Sequence, residues 1–379
     1  RRATGLLHPA MERTYECREA RGCATAAGAN DSIGLPQGGV KGLDEARGVS
    51  VEHSDFVRTL PKVQLHCHLE GTVRPATLRE LGQLVGLDIP SDVYDFADFP
   101  EFLLAFQAVC KALNGPQAFA RIAREYVLDA TAQGVRYAEL FISPSVWSFF
   151  HPSIDEEACV RAIREALRHD AIEVALICDL TRNFGPEAAL KTVERVSRWK
   201  EHGVIGIGLG GDEARFPAPL FPEAFDRARS AGLRTVAHAG EVAGAQSVRD
   251  AVEILGAERI GHGIRALEDD AVITMLVERR IPLEVCPTSN RRTGACPEDQ
   301  VHPLAQLDAA GVIVTIDSDD PAMFRCSLLD EYALVETTMG PGAVVRIARN
   351  GIEASFASPQ RKAELLHALE SAAVPARRR

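Results

Sequence analysis

Short apolar segments rich in Val, Ile and Leu alternate with longer amphipathic segments from residue 63 onward. Eight of the short segments have the length and composition of buried strands. They cover residues 63–69, 135–143, 172–180, 204–210, 234–239, 259–262, 281–286 and 312–316. Strands that alternate with helices favour parallel pairing, so these eight units predict a single (β/α)8 barrel of the TIM type, in the α/β class.

The amphipathic segments between the strands predict the helices of the barrel. Several of them end at a glycine, which favours the left-handed conformation of a helix C-terminus. They cover residues 117–133, 156–169, 187–201, 222–231, 246–255 and 269–279. The connection after the first strand is longer, and residues 98–106 predict an inserted helix with an apolar face. Such a helix either forms a lid over the C-terminal end of the barrel or belongs to its core.

The first 50 residues lack this periodicity and are rich in Ala, Gly, Arg and Glu. We interpret residues 1–50 as a flexible N-terminal extension and residues 51–379 as the barrel domain. The chain is 46% hydrophobic and carries a formal net charge of -11. Since proteins that bind phosphate backbones present basic surfaces, we expect no nucleic acid partner.

Nine cysteines are scattered along the chain, several of them inside apolar strand segments such as Leu176-Ile177-Cys178. This placement is typical of reduced cysteines that pack as small apolar side chains, and it favours a cytoplasmic protein. No run of roughly 18 apolar residues is present to span a bilayer, so we expect no membrane partner. The sequence leaves the oligomeric state open.

The first predicted strand contains the sequence His66-Cys67-His68. Side chains alternate between the two faces of a strand, so His66 and His68 share one face about 7 Å apart while Cys67 points away. This arrangement can chelate a metal ion, although two half-buried histidines with backbone partners would give the same pattern. Polar residues at the ends of other strands decide between a metal site and a pair of structural histidines.

Histidines and carboxylates follow the first, fifth and eighth predicted strands. The C-terminal ends of barrel strands converge on one cavity, so these residues are expected to meet there. A catalytic zinc site uses a few nitrogen and oxygen ligands and leaves a position for water. His66, His68, His238 and one carboxylate of Asp319 or Asp320 fit this requirement. Because no paired cysteine ligands are present, catalytic zinc is favoured over structural zinc.

Four motifs at these strand ends resemble, in order, those of the adenosine/adenine deaminase family of zinc-dependent aminopurine deaminases. The motifs are His66-Cys-His-Leu-Glu-Gly, His238-Ala-Gly-Glu241, Arg259-Ile-Gly-His262-Gly and Ser318-Asp319-Asp320-Pro321. The similarity runs from about residue 60 to about residue 353. It implies a hydrolase that acts on the C–N bond of a small-molecule purine substrate.

The resemblance also implies a role for each motif residue. One Zn²⁺ per chain would be held by His66, His68, His238 and Asp319. Glu241 would protonate the purine ring, and His262 would orient and deprotonate the attacking water. Substrate contacts would come from His68, Glu70, Gly211 and Asp320.

Elementary chemistry favours the same roles for Glu241 and His262. Carbon 6 of an aminopurine is a poor electrophile, and protonation of ring N1 by a buried carboxylic acid activates it. Glu241 follows the predicted ligand His238 closely enough to serve as this acid. His262 lies between two glycines, which allow another group to approach it closely. Taken alone, however, His262 would fit a core histidine bonded to a backbone carbonyl.

Two other classes of protein fit parts of this pattern. A two-metal barrel hydrolase acting on amides or phosphoesters also begins with His-x-His, but its usual lysine at the end of strand four is missing, since no Lys occurs between Val204 and Glu213. A non-catalytic nucleoside-binding barrel would not require an acid, a histidine and metal ligands together. One zinc per chain and release of ammonia distinguish the deaminase from both.

The substrate within the family stays open at this point. Adenosine deaminases usually carry Asp where this chain has Glu70, while adenine deaminases share the Glu but usually lack the Gly-Gly-Asp-Glu found here at residues 210–213. Deaminases of 6-aminodeoxyfutalosine in menaquinone synthesis resemble the chain at that segment. We expect conversion of an adenosine-type nucleoside to its 6-oxo, inosine-type product, with 6-aminodeoxyfutalosine and adenine as alternatives.

Overall fold

Eight parallel strands form one sheet in chain order in the computed structural model, which describes residues 53–97 and 99–373. Each strand pairs with the next along the chain. The strands are β1 (Lys62–His68), β2 (Val135–Ile142), β3 (Glu173–Thr181), β4 (Val204–Gly210), β5 (Arg234–Ala239), β6 (Arg259–His262), β7 (Leu283–Val285) and β8 (Val314–Ile316). The predicted extension at residues 1–50 lies outside the described residues.

The chain that follows β8 returns to β1 and brings the sheet close to full closure. The backbone N–H of Asp319 donates to the carbonyl of His66 at 3.1 Å, and the N–H of His68 donates to the carbonyl of Asp319 at 2.9 Å. The carboxylate of Asp317 accepts the N–H groups of Leu65 and His66 at 2.6 and 3.0 Å. The predicted (β/α)8 barrel is therefore confirmed.

Helices follow the strands and surround the barrel. They are α1 (Asp55–Thr59), α2 (Pro75–Leu84), α3 (Phe99–Ala112), α4 (Pro116–Ala132), α5 (Pro144–Phe150), α6 (Glu156–Ala166), α7 (Pro186–Val196), α8 (Pro222–Ser230), α9 (Ala245–Glu253), α10 (Asp270–Arg279), α11 (Pro287–Arg292), α12 (Leu304–Ala309), α13 (Pro321–Phe324), α14 (Leu328–Met339), α15 (Pro341–Ala354) and α16 (Pro359–Ala373). Among the described residues, no helix is long and apolar enough to cross a membrane.

The predicted and observed elements agree most closely in the middle of the chain. The bounds of β4, β5 and β6 are those predicted. β7 is shorter than predicted at both ends, whereas β8 starts later than predicted, at Val314, and ends at the predicted Ile316. The inserted helix α3 starts close to the predicted position but runs further, to Ala112. Its Phe102 packs on Phe324 of α13, with 5.1 Å between the ring centroids. The insertion thus adds to the core where it meets the segment after β8.

A buried ion-pair network crosses the interior of the barrel. The guanidinium of Arg259 on β6 donates through Nη2 to Glu139 on β2 and through Nε to Glu284 on β7, each at 2.5 Å. All three side chains are essentially inaccessible to solvent. Charges removed from water are stable only when they are paired and hydrogen-bonded, so each partner depends on the others.

We predict that Arg259→Met lowers the free energy of unfolding by roughly 3–5 kcal/mol, because it leaves two carboxylates buried without a counter-charge. Urea titration of the purified protein measures the change. Arg227→Met is the control, since Arg227 forms an exposed pair with Glu194 at 3.3 Å, and exposed pairs contribute at most about 1 kcal/mol. Equal losses in the two variants would contradict the prediction.

Candidate active site

The three histidines and one carboxylate predicted as ligands meet at the C-terminal end of the barrel. His66 and His68 lie on β1, His238 on β5 and Asp319 directly after β8. Nε2 of His68 is 3.3 Å from Nε2 of His238 and 3.4 Å from Oδ1 of Asp319, and Nε2 of His66 is 3.5 Å from the same Oδ1. All four ligand atoms lie within 4.8 Å of one another.

The chemistry and spacing of this cluster fit a zinc ion. Four ligands in a tetrahedron with zinc–nitrogen distances near 2.0–2.1 Å are about 3.3–3.4 Å apart, close to the separations found here. Nε2 of His66 is buried without a hydrogen-bond partner. Burial lowers the pKa of His68 to about 4 and that of His238 well below its usual value. Both imidazoles are therefore neutral at pH 7, which is the form that binds metal.

Two side chains hold the ligands in place from outside the cluster. Oε2 of Glu284 accepts from Nδ1 of His66 at 2.8 Å, which turns Nε2 of that ring toward the cluster. Oγ of Ser289 donates to Oδ2 of Asp319 at 2.6 Å. Carboxylate–histidine pairs of this type fix ligand orientation and tautomer in metal sites. Glu284 is not among the site residues predicted from the sequence, although a charged residue inside the short apolar strand 281–286 is a signal for a buried partner.

The backbone is in the left-handed region at two residues of the site. Asp319 has a φ of 60° and His262 a φ of 61°. This region is uncommon for residues other than glycine, and the strain persists only where the surrounding structure enforces it. At Asp319 the enforcing contacts are the two backbone hydrogen bonds to β1. Gly261, next to His262, leaves room for the ring of His66, because a Cβ atom there would lie 2.6 Å from its Cε1.

Glu241 and His262 lie beside the cluster and face each other. Nε2 of His262 is 3.7 Å from Oε2 of Glu241 and 3.9 Å from Oδ2 of Asp319. Burial, followed by the charges of Asp319 and Glu213, raises the pKa of Glu241 to about 8. Burial lowers the pKa of His262 to about 4. At neutral pH the site thus pairs a protonated carboxylic acid with a neutral imidazole.

Glu213 organises the loop that carries Glu241. Its carboxylate accepts the backbone N–H groups of four consecutive residues at 2.5–3.2 Å: Gly240, Glu241, Val242 and Ala243. Several charge-assisted bonds to one carboxylate make a rigid anchor. The role of Glu213 is not predictable from the sequence, because no local pattern connects this residue to a loop that follows the next strand.

Two of the predicted substrate contacts, Asp320 and Gly211, differ in what they offer a ligand: a buried carboxyl group and a backbone conformation that suits glycine. Asp320 is buried, its Oδ1 has no hydrogen-bond partner, and burial and the charge of Asp319 raise its pKa well above the usual value. Gly71 makes room for this carboxyl, since a Cβ atom there would lie 1.9 Å from Oδ1. Gly211 follows β4 and has a φ of 103°.

Glu70 is held by protein groups on one side of its carboxylate. Oε1 accepts from the backbone N–H of Ser143 at 2.9 Å and from Nε1 of Trp147 at 2.7 Å. Oε2 is buried and has no hydrogen-bond partner, and the residue is inaccessible to solvent. The second oxygen is therefore the part of Glu70 with unused hydrogen-bonding capacity.

Residues 61–372 match the family model described as adenosine deaminase. The chain belongs to the adenosine deaminase family. An aminodeoxyfutalosine deaminase of Streptomyces avermitilis is 37% identical over 325 residues, covering 82% of this chain and 90% of the relative. An adenosine deaminase of Shewanella denitrificans is 35% identical over 317 residues, covering 79% and 96%. An adenine deaminase of Rhizobium johnstonii is 37% identical over 315 residues, covering 81% and 98%.

Solved structures of the family share the fold. An adenine deaminase from Arthrobacter aurescens superposes with a TM-score of 0.78 at 33% identity, covering 82% of this chain and 98% of its own. An amidohydrolase from Burkholderia ambifaria with bound Zn has a TM-score of 0.77 at 29% identity, covering 87% and 97%. The expectation of a deaminase-type hydrolase acting on C–N bonds is thus confirmed at the level of the family.

We predict that Asp319→Ala abolishes stable metal binding, because it removes the only carboxylate of the ligand cluster. Glu284→Gln keeps all four ligands but loosens the orientation of His66, so metal affinity should fall by roughly 10–100-fold. Competition with a chromophoric chelator measures both affinities. Full metal occupancy in Asp319→Ala would rule out this ligand set, and an unchanged affinity in Glu284→Gln would rule out its supporting role.

Proposed function

We propose that the chain is a zinc-dependent aminohydrolase that binds one zinc ion and converts an adenosine-type 6-aminopurine nucleoside to its 6-oxo product and ammonia. The observation that carries the proposal is the convergence, in one buried cluster, of four metal ligands with a protonated acid and a neutral histidine. His66, His68, His238 and Asp319 would hold the metal. When bound, zinc supplies Lewis-acid activation of water at neutral pH.

Glu241 supplies the acid of the reaction. Its carboxyl group, kept protonated by burial, donates its proton to N1 of the purine ring and makes C6 electrophilic. The oxygen of water adds at C6, one proton of the water returns Glu241 to its acid form, and the other passes to the exocyclic nitrogen. The bond from C6 to that nitrogen then breaks, its electron pair leaves with the nitrogen, and ammonia is released. The anchoring of residues 240–243 by Glu213 keeps the acid at a constant distance from the metal ligands, as general acid catalysis requires.

The purine base is held by groups with unused hydrogen-bonding capacity. The raised pKa of Asp320 keeps its carboxyl protonated, so its O–H can donate to a ring nitrogen. The positive φ and missing side chain at Gly211 let the backbone approach a flat ring closely. His262 orients the attacking water between Glu241 and Asp319. His68, whose Nε2 is 3.4 Å from Oδ1 of Asp319, is the further predicted contact of the substrate.

Two features favour different substrates within the family. The Gly-Gly-Asp-Glu segment at residues 210–213 supports a nucleoside, because adenine deaminases usually lack it. Glu70 supports adenine, because adenine deaminases share this residue and adenosine deaminases usually carry Asp. Its Oε1 is bound to Ser143 and Trp147, which leaves Oε2 for a contact with the substrate. The relatives named for aminodeoxyfutalosine keep that nucleoside as a further candidate.

The seven described cysteines are unpaired, which supports the cytoplasm as the compartment.

The substrate is decided by steady-state ammonia release from adenine, adenosine, deoxyadenosine and 6-aminodeoxyfutalosine, assayed with the purified protein at equal zinc occupancy. We expect adenosine to give the highest kcat/KM. A preference for adenine would show that Glu70 does not serve a ribose. Absence of ammonia release from every compound, or two zinc ions per chain, would contradict the proposed function.

We predict that Glu241→Gln retains the metal and lowers turnover by roughly 10²-fold or more, the usual scale for loss of an acid–base group. The amide keeps the shape of the side chain but has no proton to donate at N1. Zinc analysis and turnover are measured on the same sample. Glu253→Gln is the control, because Glu253 forms an exposed pair with Arg279 at 3.3 Å. Turnover close to that of the control would exclude Glu241 as the acid.

A further inference from the structure

A chain of hydrogen bonds leads away from the site on the far side of His262. Nδ1 of His262 is 3.1 Å from Nδ2 of Asn290, and Oδ1 of Asn290 is 3.2 Å from Nε2 of His302. Nδ1 of His302 faces the backbone N–H of Leu304 at 3.2 Å. Asn290 ends the motif Cys-Pro-Thr-Ser-Asn that follows β7, and it has no part in the chemistry described above.

The hydrogen bond from the N–H of Leu304 to Nδ1 of His302 sets the direction of the other hydrogen bonds in the series. A backbone N–H only donates, so Nδ1 of His302 is the unprotonated nitrogen of that ring. Burial lowers the pKa of His302 to about 4, so the ring is neutral at pH 7 and carries its proton on Nε2. That N–H donates to Oδ1 of Asn290, which turns the NH2 of the amide toward Nδ1 of His262. A reversed amide would set two donors against each other.

The series of hydrogen bonds from His262 to His302 is held in place by the loop between α11 and α12. The guanidinium of Arg291 donates to the carbonyls of Cys296 and Gln300 at 3.1 and 2.7 Å. The N–H of Cys296 donates to the carbonyl of Asn290 at 2.8 Å. Asn290 itself is inaccessible to solvent, so water does not compete for its amide.

We propose that Asn290 and His302 hold His262 as the neutral tautomer that carries its proton on Nε2. In this tautomer Nδ1 is the acceptor for Asn290, and the Nε2–H points toward Glu241 and Asp319. His262 then donates a hydrogen bond to an oxygen bound between them and has no lone pair there to accept a proton. Of the two roles that the resemblance implies for His262, this tautomer supports orientation of the water.

Asn290 and His302 are accordingly positioning residues that act through His262. The consequence for catalysis rests on the proposed function, whereas the tautomer itself does not. A test of the tautomer by spectroscopy is therefore independent of any assay of deamination.

Nitrogen NMR of the 15N-histidine-labelled protein, as purified, reads the tautomer directly. The signals of His262 are those that disappear in His262→Gln. We expect Nδ1 of His262 to resonate as an unprotonated and Nε2 as a protonated imidazole nitrogen at pH 7. A proton on Nδ1, alone or together with one on Nε2, would overturn the proposal. This result would come from the unmodified protein, so it does not depend on whether a variant folds.

Asn290→Asp tests the cause, because a carboxylate only accepts and so calls for a proton on Nδ1 of His262. We expect the His262 signals to exchange character and kcat to fall by roughly 10²-fold, with KM little changed. Asn350→Asp is the matched control, since Asn350 donates to the carbonyl of Val314 at 3.0 Å outside the site. It should leave both readouts unaltered.

Removal of the terminal donor gives an independent variant. In His302→Ala the amide of Asn290 is free to reverse, so we expect a mixture of the two His262 tautomers and a smaller loss of kcat than in Asn290→Asp. Unaltered His262 signals in both variants, or an exchanged tautomer with unaltered kcat, would overturn the proposal. The expected tautomer in a protein that deaminates no aminopurine would uphold this inference and refute the proposed function.

Discussion

The closure of the barrel between β8 and β1 is the constraint on which the site depends. The backbone of Asp319 exchanges hydrogen bonds with His66 and His68, so the residues that complete the sheet are also three of the four residues of the candidate metal cluster. These backbone hydrogen bonds place the carboxylate of Asp319 directly against the imidazoles of His66 and His68, with no loop between them. The left-handed conformation of Asp319 is the cost of turning its side chain inward at that point, and the two backbone bonds keep it there.

Buried charge is the second requirement of this architecture. Ionised groups removed from water need partners, and the chain supplies them in a connected series from Glu139 through Arg259 and Glu284 to His66. The same contacts that neutralise the interior of the barrel therefore orient a ligand at its mouth. Stability and site geometry are linked here, because a change in the network alters both the burial of charge and the direction of an imidazole.

Burial also sets the protonation of Glu241 and His262, the proposed acid and the proposed water-orienting residue. The same loss of solvent that raises the pKa of Glu241 lowers that of His262, since desolvation disfavours the charged form of each. A carboxylic acid and a neutral imidazole are thus maintained a few ångströms apart at neutral pH. Such a pair is what a reaction needs when it must protonate a ring nitrogen and direct a water molecule in one step.

The sequence alone determined the parallel barrel, most strand positions and the grouping of His66, His68 and His238 with a carboxylate of Asp319 or Asp320, because strand periodicity predicts which strand ends meet at one cavity. The choice of Asp319 rested on the resemblance to the family. Only the tertiary structure decided which side chains support them. Glu284 reaches His66 across 218 residues of sequence, and Glu213 anchors a loop beyond the next strand. Their partners depend on the stagger of strands and the path of loops around the closed barrel, which no local pattern along the chain encodes.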